Sequence, residues 1–535
     1  MLVEIRSRIF KEKIIKFHQG LNVVLGDNQG ANSIGKSTLL MILDFIFGGN
    51  TYISHNKDFI NKFGDHDFEA TFKFKETAFY FIRSTKDPNI VFESNQNFEK
   101  LVPIKLDNYR EFLKESYNLE SGQIKFRSAV STFSRVWGKN NYDVRRPLHN
   151  HHSEKNIETV IKLIKLFNEY DKIAEQDKEL SKLDESKKIL NKAGKLDLIP
   201  KISKRKYEKN LKEINFLKEK IEKLSKNAYS PFINLSEIVS DELVQLKVQK
   251  KKLLEEQDYY RSRLHRTSKK RELSASIDFE NLLEFFPKIN MKKLESIEDF
   301  HNGINSILSK ELRNARKEIK EKLKLLSDEI IEINQKMEAI LSQTEESTLF
   351  MDQVIEYSSE LKNLQSENDH YNNFQEIRTS IVAKTTLLNE IKEKIVTRLT
   401  DDINVQLTEI NNFIYENKRT APEIELNYSN YDYKFFENTG TGKAYTNLII
   451  FDLAILRLTA LPFIIHDSVL FKNIEKEVVE RLIYFYNSMS KQVFIAIDFI
   501  NIYNQKTQDI IKINTVIHLT QHNLLTQIDW RNRDK

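Results

Sequence analysis

Cysteine is absent from this sequence of 535 residues, which excludes disulfides, a thiol nucleophile and thiolate metal sites. This absence is typical of proteins from a reducing compartment. The opening Met-Leu-Val-Glu-Ile-Arg lacks the apolar stretch of a secretory signal. The most apolar run, residues 448–465, is interrupted by Asp452 and Arg457, which favours a buried segment over a membrane span. We therefore expect a soluble, cytoplasmic protein without a membrane partner.

Glycine and proline are also scarce, with 13 and 8 residues, whereas 30% of all residues are charged. This composition favours long solvated helices over many turns. The net charge is only +5, so the total alone does not indicate a nucleic-acid partner. At this length, and with 40% hydrophobic residues, the chain is expected to form more than one domain.

One glycine-bearing turn carries a specific pattern. Residues 30–38 read Gly-Ala-Asn-Ser-Ile-Gly-Lys-Ser-Thr and lie between the apolar runs 21–25 and 39–43. A strand, a glycine loop and a helix in this order form a phosphate-binding loop (Walker A), where backbone N–H groups and a helix N-terminus surround an anion. The lysine reaches the phosphates, and the hydroxyl after it binds Mg²⁺. The pattern predicts a site for ATP and Mg²⁺ that contains Gly30, Asn32, Gly35, Lys36, Ser37 and Thr38.

The composition and the apolar pattern of the sequence divide the chain into three regions. Residues 1–155 and 401–535 alternate short apolar strands with turns and helices, for example at 67–74 and 492–498. Residues 156–400 are rich in lysine, glutamate, leucine and isoleucine and nearly lack glycine. We predict an α/β head that is built from both chain ends and carries a long antiparallel α-helical coiled coil, with its apex near 230–305.

The prediction of a coiled coil rests on apolar residues that recur at steps of three and four. Three such series run from Tyr207 to Leu224, from Leu308 to Ile340 and from Phe374 to Leu399, with charged residues on their flanks. Breaks are expected at 198–200, 229–231 and 285–288, each of which contains a proline. Because a proline-containing region separates the outgoing and returning series, the simplest geometry is a helical hairpin.

Two apolar strands of the C-terminal region end on an acidic residue. Residues 461–467 end at Asp467 and residues 492–498 at Asp498, and both runs have the continuous apolar character of buried parallel strands. A carboxylate at the end of such a strand (Walker B) holds Mg²⁺ opposite the hydroxyl of the phosphate-binding loop. We therefore predict that Ser37 and Asp467 bind the metal. An acid at a strand end is often only a helix cap, and this alternative stays open.

Together these features resemble the SMC/Rad50/RecN branch of the ABC ATPases. The resemblance rests on the strand 20–26, the Asn-x-x-Gly-Lys-Ser loop, the helical hairpin and the strand that ends at Asp467. Residues 439–443, which read Thr-Gly-Thr-Gly-Lys before an apolar helix, are similar to the signature motif of that family. The resemblance implies an ABC-type ATPase head and a head–head dimer, in which the ATP of one subunit is contacted by the other subunit's Thr439, Gly440, Gly442 and Lys443.

More specifically, the chain resembles the short SMC-like subunits of bacterial anti-phage systems, such as Lamassu and related ABC-type multi-component systems. The similar segments are the loop 26–38, the Phe-Phe-Pro and Asp-Phe-His segments within 285–301, and the triplet 466–468, His-Asp-Ser. This resemblance implies that the chain binds or senses DNA. It also implies partner subunits from the same operon, including a nuclease effector.

The sequence departs from the family where a catalytic glutamate is expected, because Ser468 follows Asp467. A hydroxyl cannot replace the carboxylate that orients the attacking water, so hydrolysis is expected to be slow or to use another acid. Asp498 is the candidate, and Lys36, Asp467 and Asp498 are the predicted catalytic residues. Two other functions stay open: an ATP-gated scaffold with little turnover, and a DNA-repair ATPase of the RecN or RecF kind.

A basic patch is predicted to bind DNA along the coil. Residues 201–275 contain 20 Lys and Arg against 11 Asp and Glu, an excess of 9 positive charges, near the pair Tyr259-Tyr260. Such a patch suits sequence-independent contact with phosphates. An ordinary solvated face of a coiled coil is the alternative. The patch consists of Lys250, Lys251, Lys252, Arg261, Arg263, Arg266, Lys269, Lys270 and Arg271.

Residues 128–137 contain Arg135 close to Trp137, and Arg127 precedes them. Two interpretations are open: a basic surface helix on which the tryptophan packs, or a segment that faces nucleotide or DNA.

Overall fold

The computed structural model describes residues 1–27, 34–119, 123–196, 199–227, 241–268, 291–341, 348–436 and 440–527. They belong to two compact units, of which one joins Met1–Asp184 to Ser380–Lys535 and the other is Glu185–Thr379. The first unit, called the head below, confirms that both chain ends fold together around a long helical insertion. The three predicted regions, 1–155, 156–400 and 401–535, stay a prediction as to their limits.

One sheet of the head is antiparallel and has the strand order β2-β1-β4-β5-β6-β7. The alternating pattern of residues 67–83 predicts its central hairpin, whereas β2, β6 and β7 were not predicted. Its strands are β1 (Leu2–Arg6), β2 (Ile14–Lys16), β4 (Asp67–Phe74), β5 (Thr77–Ser84), β6 (Ile90–Ser94) and β7 (Lys100–Lys105).

The second large sheet of the head is parallel, with the strand order β13-β3-β12-β11-β8. β3, β11 and β12 are buried along their whole length, as continuous apolar runs predict. Its strands are β3 (Leu21–Leu25), β8 (Ser134–Arg135), β11 (Phe463–His466), β12 (Gln492–Ile497) and β13 (Thr515–His518). A separate hairpin pairs β9 (Glu423–Leu426) with β10 (Tyr431–Lys434).

The helix that follows β3 lies in the core between the two large sheets. Nine of the eleven residues of α1 (Lys36–Ile46) are buried. At its C-terminal end, Phe45 contacts Phe68 of the antiparallel sheet, and Phe47 stacks on Phe463 of the parallel sheet with the ring centroids 3.9 Å apart. The other N-terminal helices are α2 (Thr51–His55), α3 (Lys57–Phe63), α4 (Leu106–Ser116), α5 (Phe126–Val130) and α6 (Asn156–Leu166).

The C-terminal part of the head adds three helices, Thr441–Leu458, Lys476–Asn487 and Gln505–Ile513. In the Thr441–Leu458 helix, every residue from Thr446 to Leu456 is buried. This agrees with the prediction of a buried segment at 448–465. Within the described residues, no helix combines the length and the apolar character that a membrane crossing requires.

The helices of the insertion run out and back, as predicted. In chain order the described helices are Tyr170–Lys195, Lys204–Asn227, Asp241–Ser268, Met291–Leu341 and Thr348–Tyr415. Within Glu185–Thr379 the pairing is antiparallel: Tyr207 stacks on Tyr371 at 4.7 Å, and Lys220 lies 5.0 Å from the ring of Tyr357.

The buried positions along the interface between the paired helices match the predicted apolar series only in part. Ile319, Leu326 and Ile333 are buried at intervals of seven, whereas Leu211 is 42% exposed. Its neighbour Asn210 is buried instead, because its amide donates to Glu367 and Asn368 of the returning helix. The predicted break at 198–200 falls between two helices. The breaks at 229–231 and 285–288 lie outside the described residues.

Candidate nucleotide-binding site

Four of the predicted phosphate-binding residues, Gly35 to Thr38, lie at the start of α1, which follows β3 of the parallel sheet. Gly35 has a φ of 110°, a left-handed conformation that favours glycine, and a Cβ there would lie 2.3 Å from Cβ of Leu525. α1 begins at Lys36. Ser37 and Thr38 follow in its first turn and are half-buried. Gly30 and Asn32 lie outside the described residues.

The Ser37 hydroxyl lies beside the predicted Walker B carboxylate. Its Oγ donates to Oδ1 of Asp467 at 3.0 Å, although 430 residues separate the two. Asp467 is buried at the end of β11 and also accepts from the N–H groups of Trp137 and Ser468, at 3.1 and 2.7 Å. Burial raises the pKa of Asp467 above its ordinary value, and these donors oppose the shift.

The Lys36 ammonium forms an ion pair at the end of the neighbouring strand. Its Nζ lies 3.0 Å from Oδ1 of Asp498, and the side chains are only 9% and 12% exposed. The carboxylate packs so closely that a Cβ on Gly26 would lie 1.7 Å from Oδ1. Phe499 follows with a φ of 56°, a strained conformation for a side chain of this size. Burial raises the pKa of Asp498, and Lys36 opposes the shift.

The residues around Ser37 fit the predicted cofactor. A hydroxyl and a carboxylate, both oxygen donors, already lie in contact, and oxygen is the ligand that Mg²⁺ prefers. A cavity of about 500 Å³ lies beside Ser468 and Asp498 and is also lined by Lys472 and Lys476. Ser37 and Asp467 thus offer the donor atoms that a divalent metal requires, whereas the described lining of the cavity contains Asp498 but none of Lys36, Ser37 and Asp467.

Comparisons with known proteins give the following. Residues 367–528 match a family model described as an uncharacterised protein conserved in bacteria, DUF2326. No curated protein matches the chain. Among solved structures, the Smc head domain with a coiled coil and joint from Pyrococcus yayanosii is similar at 14% identity and a TM-score of 0.47, covering 97% of this chain and 94% of that chain.

The Smc head domain with an extended coiled coil from Pyrococcus furiosus, bound to the C-terminal domain of ScpA, is similar at 12% identity and a TM-score of 0.35. The alignment covers 97% of this chain and 92% of that chain. At such identities and TM-scores these structures carry no argument about the site.

The predicted signature residues lie at the start of the helix Thr441–Leu458. A Cβ on Gly442 would lie 2.2 Å from the carbonyl oxygen of Asn473, whereas no described atom lies within 4 Å of a Cβ on Gly440. Packing within the chain thus accounts for the glycine at 442 but not for the one at 440. Lys443 is mostly buried, and its ammonium donates to the carbonyl of Thr420 at 2.8 Å.

The prediction assigns the signature segment to ATP held by a second subunit, and it stays a prediction. Thr439 lies outside the described residues.

A buried polar network lies behind Asp467, and the sequence patterns did not predict it. Arg135 of β8 forms two hydrogen bonds to Asp452, at 2.7 and 2.8 Å, and both side chains are fully buried. His466 of β11 contacts the same carboxylate through Nε2 at 3.1 Å and Tyr486 through Nδ1 at 2.6 Å. An ionised Asp452 accepts only, so the His466 proton resides on Nε2 and Nδ1 accepts from the Tyr486 hydroxyl. The signal in the sequence was the acid at 452, which interrupts an apolar run.

This network corrects one interpretation of residues 128–137. They do not form a basic surface helix with a packed tryptophan, because Arg135 is fully buried whereas Trp137 is 58% exposed. Arg135 is buried because it pairs with Asp452, a buried carboxylate that needs a charged partner. Burial alone would raise the pKa of Asp452, but Arg135 and His466 bring it below the ordinary value. The N–H of Trp137 contacts Asp467, so the end of the segment lies at the predicted metal site.

The predicted DNA patch is described only in part. Lys250, Lys251, Lys252, Arg261 and Arg263 lie on the helix Asp241–Ser268, and all of them except the half-buried Lys250 are exposed. The Tyr259 side chain beside them is 54% exposed. Arg266 lies on the same helix, and Lys269, Lys270 and Arg271 lie outside the described residues.

Proposed function

We propose that this chain is an ATP-binding and ATP-hydrolysing subunit of the SMC/Rad50 kind, whose heads dimerise around the nucleotide. The proposal rests above all on one contact, the 3.0 Å hydrogen bond from the Ser37 hydroxyl to the Asp467 carboxylate. It joins the predicted Walker A and Walker B residues from opposite ends of the chain. The burial of Lys36 at the start of a core helix and of Asp467 at the end of β11 further supports a site for a charged ligand.

Each residue has a separate task in this proposal. The N-terminus of α1 and the Lys36 ammonium bind the phosphates. Ser37 and Asp467 would hold Mg²⁺, which would supply positive charge beside the phosphate oxygens. Phosphate binding draws Lys36 away from Asp498. This carboxylate borders the cavity of about 500 Å³ and then accepts the proton of the attacking water, a task that the Ser468 hydroxyl cannot perform.

The substitution Lys36→Ala tests the proposal. We expect the variant to lose ATP binding and phosphate release, because it removes the ammonium that holds the phosphates. Lys57→Ala, which changes an exposed lysine of α3, is the matched control and keeps both properties. Light scattering with and without ATP reports the head–head dimer. Equal ATP binding by Lys36→Ala and the control refutes the proposal.

A second candidate function is an ATP-gated scaffold with little turnover, and Ser468 favours it because no glutamate follows Asp467. Phosphate release measured with and without linear DNA separates the two. Sustained release that depends on Lys36 supports the enzyme. Tight retention of ATP without release supports the scaffold.

The cellular role in this proposal is anti-phage defence, with DNA and partner subunits, including a nuclease effector, as the binding partners. The exposed lysines and arginines of the helix Asp241–Ser268 support binding of DNA phosphates. A repair ATPase of the RecN or RecF kind is the alternative. Gene neighbourhood distinguishes them, since an adjacent nuclease gene is expected only for the defence system.

A further inference from the structure

A second polar pocket lies in the head, at the end of α1 that is opposite the phosphate-binding loop. Its volume of about 360 Å³ falls within the roughly 300–1,000 Å³ of ligand sites. Apart from glycine, its lining is entirely polar or basic: Asn50, Thr51, Ser54, His55, Arg110, Arg127, Ser131, Lys139, Asn150 and His151. Among the residues that the structure describes, no acidic and no apolar side chain lines it. We refer to it as the basic pocket.

The cations of the basic pocket are held in place by a carboxylate that lies beneath them. Asp44 is fully buried and accepts from Arg127 at 2.8 Å and from Lys139 at 2.9 Å. Although burial alone would raise the pKa of Asp44, the two cations hold it well below its ordinary value, so the group is charged. Burial lowers the pKa of Lys139 to about 8, which leaves this amine largely protonated at neutral pH.

Arg110 adds a third cation from α4. Its guanidinium donates to the carbonyl of Gly48, at 2.7 and 3.2 Å, and pairs with Asp107 at 2.9 Å. Asp107 is 89% exposed, so water screens this pair and leaves most of the positive potential in place. Two of the three cations thus pair with one buried carboxylate and the third pairs with an exposed one, so the pocket keeps a formal excess of one positive charge.

The backbone brings the walls of the pocket close together. Gly138 has a φ of 89°, and a Cβ there would lie 2.5 Å from the ring of His55. A Cβ on Gly49 would lie 2.1 Å from the Asp44 carboxylate. Glycine at both positions lets hydroxyl, amide and cationic donors converge on one volume. An anion with several acceptor oxygens is the ligand that such a set of donors satisfies.

We propose that the basic pocket binds a phosphate group, through Arg110, Arg127 and Lys139. The excess of positive charge favours an anion, and the oxygens of a phosphate match the surrounding hydroxyl and amide donors. The phosphate comes either from a small molecule or from a nucleic-acid backbone. None of the described residues of the phosphate-binding loop, 34–38, lines the pocket. Asp44 lies eight residues, or about 12 Å, along α1 from Lys36.

The position of the pocket also connects it to the nucleotide site. Gly138 and Lys139 line the pocket, and they directly follow Trp137, whose N–H donates to Asp467 at 3.1 Å. α1 provides a second connection, since it begins at Lys36 and contains Asp44. An occupant of the pocket would therefore act on both the metal carboxylate and the helix that holds the phosphate-binding loop.

The test uses the full chain with Lys36→Ala, so that the phosphate-binding loop does not contribute. Calorimetry with pyrophosphate and fluorescence anisotropy with a short DNA duplex measure the two sources of phosphate. Arg110→Gln removes a cation of the pocket, and Lys114→Gln, one turn further along α4 and outside the pocket, is the matched control. Ser54→Glu adds a negative charge at an exposed position of the lining without disturbing a buried group.

We expect Arg110→Gln and Ser54→Glu to weaken binding about tenfold or more, with Lys114→Gln unchanged. A loss for pyrophosphate alone indicates a small-molecule phosphate. A loss for the duplex, with the salt slope lower by about one unit, indicates a nucleic-acid backbone. If both variants match Lys114→Gln in both assays, or if neither ligand binds the Lys36→Ala protein, the inference is wrong. The ATPase proposal is not affected by that outcome.

Discussion

Asp498 is the residue whose replacement separates the proposed steps of the ATP reaction. Asp498→Asn keeps the shape of the side chain and removes its charge. In the described site this charge lies 3.0 Å from Lys36 Nζ. At an effective dielectric constant of about 20, the attraction between the two charges is roughly 5–6 kcal/mol. The variant therefore changes both the stability of the empty site and its affinity for ATP.

The expected change in the free energy of unfolding is smaller than this attraction, because the cost of burying the charged carboxylate is also removed. The pKa of Asp498 is raised rather than lowered, so Lys36 does not fully offset the cost of burying the carboxylate. We expect Asp498→Asn to lower the free energy of unfolding by no more than about 2 kcal/mol, below the 3–5 kcal/mol of a fully compensated buried pair. ATP no longer competes with a carboxylate for Lys36, so its affinity is expected to rise about tenfold, or about 1.4 kcal/mol.

Hydrolysis is expected to change in the opposite direction. If Asp498 accepts the proton of the attacking water, its loss lowers phosphate release about 10²–10⁴-fold. Calorimetry with ATP and a phosphate-release assay measure the two effects. Asp509→Asn, an exposed acid on the next helix, is the matched control. Unchanged affinity together with an unchanged rate would refute the assignment of Asp498.

Asp452→Asn is expected to destabilise the head by about 3–5 kcal/mol, because it leaves a buried guanidinium uncompensated. Since the pKa of Asp452 is below its ordinary value, this difference is present at neutral pH and shrinks as the pH falls below 3.8; denaturant titrations at several pH values check it. Gly442→Ala is expected to destabilise the fold through a clash, whereas Gly440→Ala leaves melting unchanged and weakens the ATP-dependent dimer, as calorimetry and light scattering would report. In a Trp530→Phe variant, MgATP is expected to change the fluorescence of Trp137, which is exposed and whose N–H contacts Asp467 of the predicted metal site; a constant spectrum would contradict that prediction.

Local patterns were sufficient for much of the fold. β3 and the hairpin of β4 and β5 follow from the order of apolar residues in the sequence. A strand that is buried on one face alternates apolar and polar residues, and a strand that is buried on both faces is a continuous apolar run. β6, β7 and β8 were missed. β7 is mostly exposed and β8 has two residues, so neither carries such a pattern. Leu211 fits the apolar spacing of the series from Tyr207 to Leu224 but is exposed, whereas the neighbouring Asn210 is buried and donates to Asn368.

The sequence by itself determined the chemical character of the predicted site and the out-and-back course of the chain. A glycine loop before a lysine, apolar strands ending on acids, and long charged helices are each encoded by neighbouring residues. Only the tertiary structure decided which acid contacts which group: Asp467 with Ser37, Asp498 with Lys36, and Asp452 with Arg135. These partners lie more than 300 residues apart, and only the folding of both chain ends into one head brings them together.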